Sequence, residues 1–184
     1  DFIVETLIKP FFSEKLRVIK YYDQKSTAGR LLASPSPRKM KKGLSLLFEL
    51  AVSYPYRTQE VINAITAFLR PTFPQEEHVA PDRKEVLELG IRSLTAIPRL
   101  DENGFPRDFD IHQIRIEDLN LTRINFKSFS LWGCQFLNVI LSHSSFEEAD
   151  LGGAVFEKCS LEYADLKHAK LCGSFMDNGR PTRL

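Results

Sequence analysis

Four histidines and three cysteines are the side chains best suited to acid–base, nucleophilic or metal chemistry, so their spacing is the first test of an enzymatic reading. His78 lies in a proline-rich stretch, and His112, His143 and His168 are far apart, without a cysteine or carboxylate at metal-ligand spacing. Cys134, Cys159 and Cys172 form no CxxC pair. The sequence also lacks a phosphate-binding glycine loop, a Ser-His-Asp or Cys-His arrangement in a recognisable context, and paired carboxylates in an expected pocket. The expectation is therefore a protein that is not an enzyme. No catalytic, metal or cofactor-binding residue is assigned, and no cofactor is expected. Surface histidines and core cysteines are the plainer readings, with Cys172 as the candidate reactive thiol.

Charge narrows the remaining classes. The chain has 25 Lys and Arg against 24 Asp and Glu, a net charge of +1, so the molecule as a whole has no pull toward nucleic acid. Its sharpest local feature is Arg38, Lys39, Lys41 and Lys42 at the start of an expected helix, where cations oppose the helix dipole. Contact with an anionic membrane surface or an acidic partner would offset that cost. The competing reading is a solvated helix face.

These residues must be positioned by two unlike halves. Residues 38–97 show helical apolar spacing in three segments. The first starts at Pro37 after Ser36, with Met40, Leu44, Leu47, Phe48 and Ala51 on one stripe. The second takes Thr58 as its N-cap, carries Val61, Ile62, Ile65, Phe68 and Leu69, and stops at Pro71. The third runs from Pro81 or Asp82 through Val86, Leu87, Ile91 and Leu94 and ends before Pro98. Residues 2–22 are also expected to be helical, with Pro10 kinking or dividing them.

Past the loop Asp101-Glu102-Asn103-Gly104 the period changes to five. Large apolar residues recur from Ile111 to Met176, and two positions before each stands a second inward set that runs from Phe109 to Ser174. Neither a helix nor a flat strand has this period, so the chain must turn a corner once per repeat. A longer period of 20 is present as well. Ile111, Leu131, Leu151 and Leu171 form one column, and Ile116, Phe136, Phe156 and Met176 form the next. Leu121, Leu141 and Leu161, then Phe126, Phe146 and Leu166, complete the set. Four sides stacked at the spacing of parallel strands account for both periods. Gly133, Gly153 and Gly173 share a corner column where positive φ is expected. Lys127, Glu147 and Lys167 alternate in sign along another column.

Ala149-Asp150-Leu151, Ala164-Asp165-Leu166 and Ala169-Lys170-Leu171 resemble the A(D/N)Lxx pattern of the pentapeptide-repeat family. That resemblance implies a square, right-handed parallel β-helix. Lys42 to Ala51 followed by Thr58 to Arg70 resembles the helical segment preceding the repeats in bacterial, especially cyanobacterial, members. In many of those, transmembrane helices lie upstream, and no enzymatic activity is implied. The expected fold is thus α+β, an N-terminal helical domain followed by a right-handed quadrilateral parallel β-helix. Residues 1–97 form the helical domain capping the first coil, 98–108 a linker, 109–177 the repeats and 178–184 a tail. That tail, or a partner subunit, is expected to cover the other coil end, which makes a homodimer through a coil end one expectation.

The expected function is a non-enzymatic protein-interaction or scaffolding module with an unidentified protein partner. Trp132, Leu137, Ile140 and Val155 occupy outward repeat positions and are the candidate interaction surface. Packing beneath a helix of the same chain is the equal alternative for part of this group. The rival function is a DNA mimic acting on gyrase, as in fluoroquinolone-resistance members of the family. Residues 109–177, however, hold ten acidic and six basic side chains, only four units negative, so nucleic-acid-like behaviour is not expected. Three cysteines without an obvious pairing favour a reducing, cytoplasmic compartment. No run of about 18 apolar residues appears. The chain opens at Asp1 rather than methionine, which leaves room for an upstream tether or targeting segment and for juxtamembrane placement of residues 1–12.

Overall fold

The computed structural model describes residues 9–70 and 81–177. Four helices come first: α1 (Lys9–Leu32), α2 (Pro37–Ser53), α3 (Thr58–Leu69) and α4 (Pro81–Ala96), with a single 3₁₀ turn at Pro55–Arg57. Four three-residue strands follow: β1 (Arg115–Glu117), β2 (Gln135–Leu137), β3 (Val155–Glu157) and β4 (Phe175–Asp177). The strands pair in parallel in the order β1-β2-β3-β4, each register stepping by one coil: Ile116 on Phe136, Phe136 on Phe156, Phe156 on Met176.

The helices begin and end largely where the local chemistry requires. Pro37 opens α2 after extended Ser36, although Ser36 makes no side-chain capping bond. Thr58 is not the N-cap of α3. Arg57 holds that position, and Thr58, buried as the first helical residue, donates its hydroxyl to the Ala51 carbonyl at 2.9 Å, tying α3 to the end of α2. α1 continues ten residues past the expected end at residue 22, and Pro10 falls in its first described turn; residues 2–8 lie outside the described residues. The extension exists because α1 packs closely on α2. A Cβ on Gly43 would meet the Ala28 carbonyl and the Leu32 side chain, each at 3.0 Å, so any other residue would push the two helices apart by a few tenths of an ångström.

In the repeats, one residue in five turns the corner with positive φ, from Gln113 (57°) to Gly173 (70°). Glycine supplies three of the four positions in one column, which Gln113 begins; nine more non-glycine residues adopt the same conformation in the other columns, including Arg123, His143 and Tyr163. Left-handed backbone costs such residues about 1 kcal/mol or more. Coil-to-coil hydrogen bonds offset the cost: Gln113, Asp118, Arg123 and Ser128 each donate their N–H to a carbonyl one coil onward, at 2.9–3.0 Å.

The four sides are not equivalent. On three of them a turn bond closes the corner from Leu121 onward, as from Ile124 N–H to the Leu121 carbonyl, 3.1 Å, and neighbouring coils share single bridges such as Asn125 with Ser145. Only the side centred on Ile116, Phe136, Phe156 and Met176 forms continuous strands. The turn-closed sides often carry Asp or Asn just before the central residue. Asp110, Asn120, Asn125, Asp150 and Asp165 accept the N–H two residues on, at 2.9–3.1 Å. This Asx turn is the physical content of the D/N in the repeat.

The interior is packed. Phe126 stacks on Phe146 (5.4 Å between centroids) and Phe136 on Phe156 (4.7 Å), and the two stacks meet edge to face. Cys134 and Cys159 are buried fillers whose thiols donate to the Ile111 and Phe136 carbonyls, each at 3.2 Å.

The helical packet lies against the first coil. Bulky Phe109, Ile114, Leu119, Ile124 and Phe129 are buried in one continuous apolar cluster with the helices. Gln59 exchanges hydrogen bonds with the Asp108 backbone, and Arg92 donates to the Asn120 carbonyl. Arg99 lays its guanidinium against the rings of Phe109 (4.6 Å) and Phe129 (4.5 Å), and burial pulls its pKa down to about 10. The far coil differs. Leu171 is 36% exposed and Phe175 57%, and Leu166 and Met176 are only half-buried, although all but Phe175 occupy inward columns. No described residue lies over them, and the expected cover, residues 178–184, falls outside the described residues.

Candidate interaction surface

The strand side carries a shallow groove lined by Arg115, Glu117, Gln135, Leu137, Val155 and Glu157. A column of strands creates it because side chains before and after each buried centre point outward together. Leu137 and Val155 lie on adjacent strands, with Gln135 opposite Val155 and Leu137 opposite Glu157. Phe175 is the in-register partner of Val155 and extends its column into the last described coil. It was legible in the period of 20, since Arg115, Gln135, Val155 and Phe175 share one column. The rim is charged and internally paired: Arg115 with Glu117 at 3.2 Å, Glu157 with Lys158 at 3.7 Å, and Asp118 with both Asn138 and Lys84.

The four outward residues singled out in the sequence therefore divide. Leu137 and Val155 share the groove and are half-buried by their own strands. Trp132 stands on the preceding side, 50% exposed, and Ile140 on the following one, 45% exposed. Trp132 lies over Gly152, where a Cβ would come within 2.9 Å of the indole. The described helices stand at the first coil end, and the groove is lined by repeat residues alone. Among the described residues no helix covers Trp132 or Ile140.

The basic group at the start of α2 also divides. Lys41 pairs with Glu85 of α4, whereas Arg38, Lys39 and Lys42 are exposed. Of the histidines, His112 sits between Asp110 (2.6 Å) and Arg70 (3.1 Å) at the junction with α3. His143 stacks on exposed Tyr163, centroids 5.0 Å apart, and His168 occupies another corner column; His78 lies outside the described residues. Burial pushes the Cys134 thiol up to about 12 and raises that of Cys159, which makes both poor nucleophiles. Cys172 is exposed. Among the described residues no group of three or more His, Cys, Asp or Glu is placed to hold a metal ion, and no helix is long and apolar enough to cross a membrane.

A coil of five-residue units with this register is a repeat solenoid, and residues 120–157 and 140–178 match the pentapeptide-repeat family model. Residues 120–178 thus carry repeats like those of that family, which imply a right-handed quadrilateral β-helix and whose proteins are generally non-enzymatic interaction modules. One similar solved structure is HetL, a pentapeptide repeat protein involved in heterocyst differentiation regulation in the cyanobacterium Nostoc. It is 26% identical with a TM-score of 0.37, over 40% of this chain and 38% of that one. Another is a thylakoid-lumen pentapeptide repeat protein of Arabidopsis thaliana, 29% identical with a TM-score of 0.36, over 37% of this chain and 47% of that one. The matched part thus spans less than half the length of either structure. No curated protein matches the chain.

Proposed function

We propose that this chain is a non-catalytic scaffolding module that binds a protein partner on its strand side, with Leu137, Val155 and Phe175 as the apolar centre and the paired charges around them as the rim. The observation that carries the reading is the open groove on a rigid stack, apolar along its diagonal and polar at its border, which is the anatomy of a protein interface. Trp132 and Ile140 extend the contact around the two neighbouring corners. Three unpaired thiols favour work in a reducing compartment, the cytoplasm.

Duplex-DNA mimicry of the kind that occupies gyrase gains no support from this surface. Lys127 neutralises Glu147 one coil on at 2.9 Å, and Lys170 approaches Asp150 at 3.8 Å, so these coil columns do not present rows of bare carboxylates.

The test is affinity capture from the source cell with the wild-type chain and with Leu137→Glu/Val155→Glu, both replacements at outward positions. A partner retained by the wild type and by Lys167→Glu, but lost by the double variant at unchanged melting temperature, supports the reading. Capture of the same partner by the double variant refutes it.

A further inference from the structure

The first half of α1 projects beyond the helical packet. α1 and α2 run antiparallel, Ala28 lying at Gly43 and Tyr21 meeting Tyr54 with ring centroids 5.2 Å apart. α2 has ended at Ser53 by that level, so Lys9–Lys20 continues for roughly 18 Å at the helical rise. None of residues 14–20 is buried. Leu16 and Ile19 are each 64% exposed. At 3.6 residues per turn they share one stripe, roughly opposite the stripe of Tyr21 and Ala28 that packs on the neighbouring helices. Lys15 and Lys20 fall on either side of that outer stripe.

A helical arm whose residues 14–20 all stay at the surface gains little from packing, and two large aliphatic side chains on its outer face add to the cost. Charge identifies what relieves it. Residues 9–53 hold ten Lys and Arg against three Asp and Glu, seven units positive, in a chain whose total is +1. Within the arm Lys9, Lys15, Arg17 and Lys20 face a single Glu14. A second copy laying its own arm alongside would set like charges together.

We infer that the α1 arm is an interfacial helix that docks the protein on an anionic lipid bilayer. Leu16 and Ile19 enter the boundary between headgroups and acyl chains, and Lys20 reaches up beside them to the phosphates. Arg38, Lys39 and Lys42 add attraction from the far end of the same hairpin. This site is separate from the strand side and does not depend on the reading given there.

The experiment uses the whole chain with vesicles of phosphatidylcholine alone or containing about 30 mol% phosphatidylserine, read by cosedimentation. Partitioning is expected only onto the anionic vesicles, weakening at least about tenfold between low and half-molar salt. Leu16→Ser/Ile19→Ser is expected to lower it about 30-fold with unchanged circular dichroism, whereas Tyr163→Ser leaves it as it was. Three results overturn the inference: equal binding to both vesicles, no binding to the anionic ones, or a double variant that binds like the wild type. A concentration-dependent dimer abolished by the same double variant would also overturn it, assigning the arm to a second copy.

Discussion

Removing the Phe146 ring tests the stacked core most directly. Phe146 has no exposed surface; it stacks on Phe126 at 5.4 Å and meets Phe136 and Phe156 edge to face at 6.4 and 6.0 Å. Phe146→Ala loses the transfer free energy of the ring, three aromatic contacts and the dispersion of the cavity lining. The coils above and below are held by backbone ladders and cannot collapse inward, so the cost falls near the upper part of the usual range, about 4 kcal/mol. For a chain of this size that lowers Tm by about 8–16 °C. Phe146→Leu should cost about 1.5 kcal/mol, because Leu166 occupies the same column one coil on. Leu171→Ala is the internal comparison. Its side chain belongs to an inward column but is 36% exposed, and the expected cost is about 1 kcal/mol. Thermal melting followed by circular dichroism, with urea titration for the free energies, measures all three. Phe146→Ala melting within about 2 °C of the wild type refutes the stacked interior. Leu171→Ala costing as much as Phe146→Ala refutes the part-exposed setting of Leu171.

Three further outcomes are expected. Asn125→Ala removes the acceptor of the Lys127 N–H at 3.0 Å and should cost about 1 kcal/mol in urea titration, with Asn125→Asp costing less than half of that. The hydrogen bond from Lys25, with Arg57 beside it, holds the Glu60 carboxyl below its ordinary value of 4.5. The stabilisation is present above that pH and lost as pH falls through the lowered folded value, so Glu60→Gln should flatten the acid limb of the stability–pH curve below about pH 4.5. Ellman's reagent should titrate one thiol rapidly in the native protein, Cys172, and all three after denaturation, because Cys134 and Cys159 are buried.

The solenoid was legible because its signal is redundant: Phe136 and Phe156 predict each other at 20 residues, and each five-residue step repeats the test. The helices α2, α3 and α4 were legible for the usual reason of amphipathic spacing. The second half of α1 was not. Asp23 to Leu32 is a polar run whose helicity rests on tertiary contact, Ala28 against Gly43, and a local pattern holds no record of a neighbour. Thr58 was misplaced by one position for a similar reason, since its hydroxyl is used by the Ala51 carbonyl rather than by its own helix. The split of Trp132, Leu137, Ile140 and Val155 among three sides follows from the period alone. Their exposure does not, because it depends on where the helices rest, and those cover the first coil instead.

Turn chemistry bears on the choice of the strand side as the proposed recognition surface. On the other three sides the position before the central residue is often committed to the fold: Asp110, Asn120, Asn125, Asp150 and Asp165 each spend their side-chain oxygen on a backbone N–H two residues on. On the strand side the corner at Asp118, Asn138 and Lys158 opens without a turn bond from the central carbonyl, and the ladder alone holds register. The position before the centre is then released from turn duty and carries Arg115, Gln135, Val155 and Phe175, four unlike side chains in one outward column. A backbone that fixes itself through its ladder leaves those side chains free to vary with the partner. This makes a specific demand: Val155→Asn should be nearly neutral to folding, within about 0.5 kcal/mol, while weakening partner capture. A large loss of stability from that substitution would show that the column serves the fold after all.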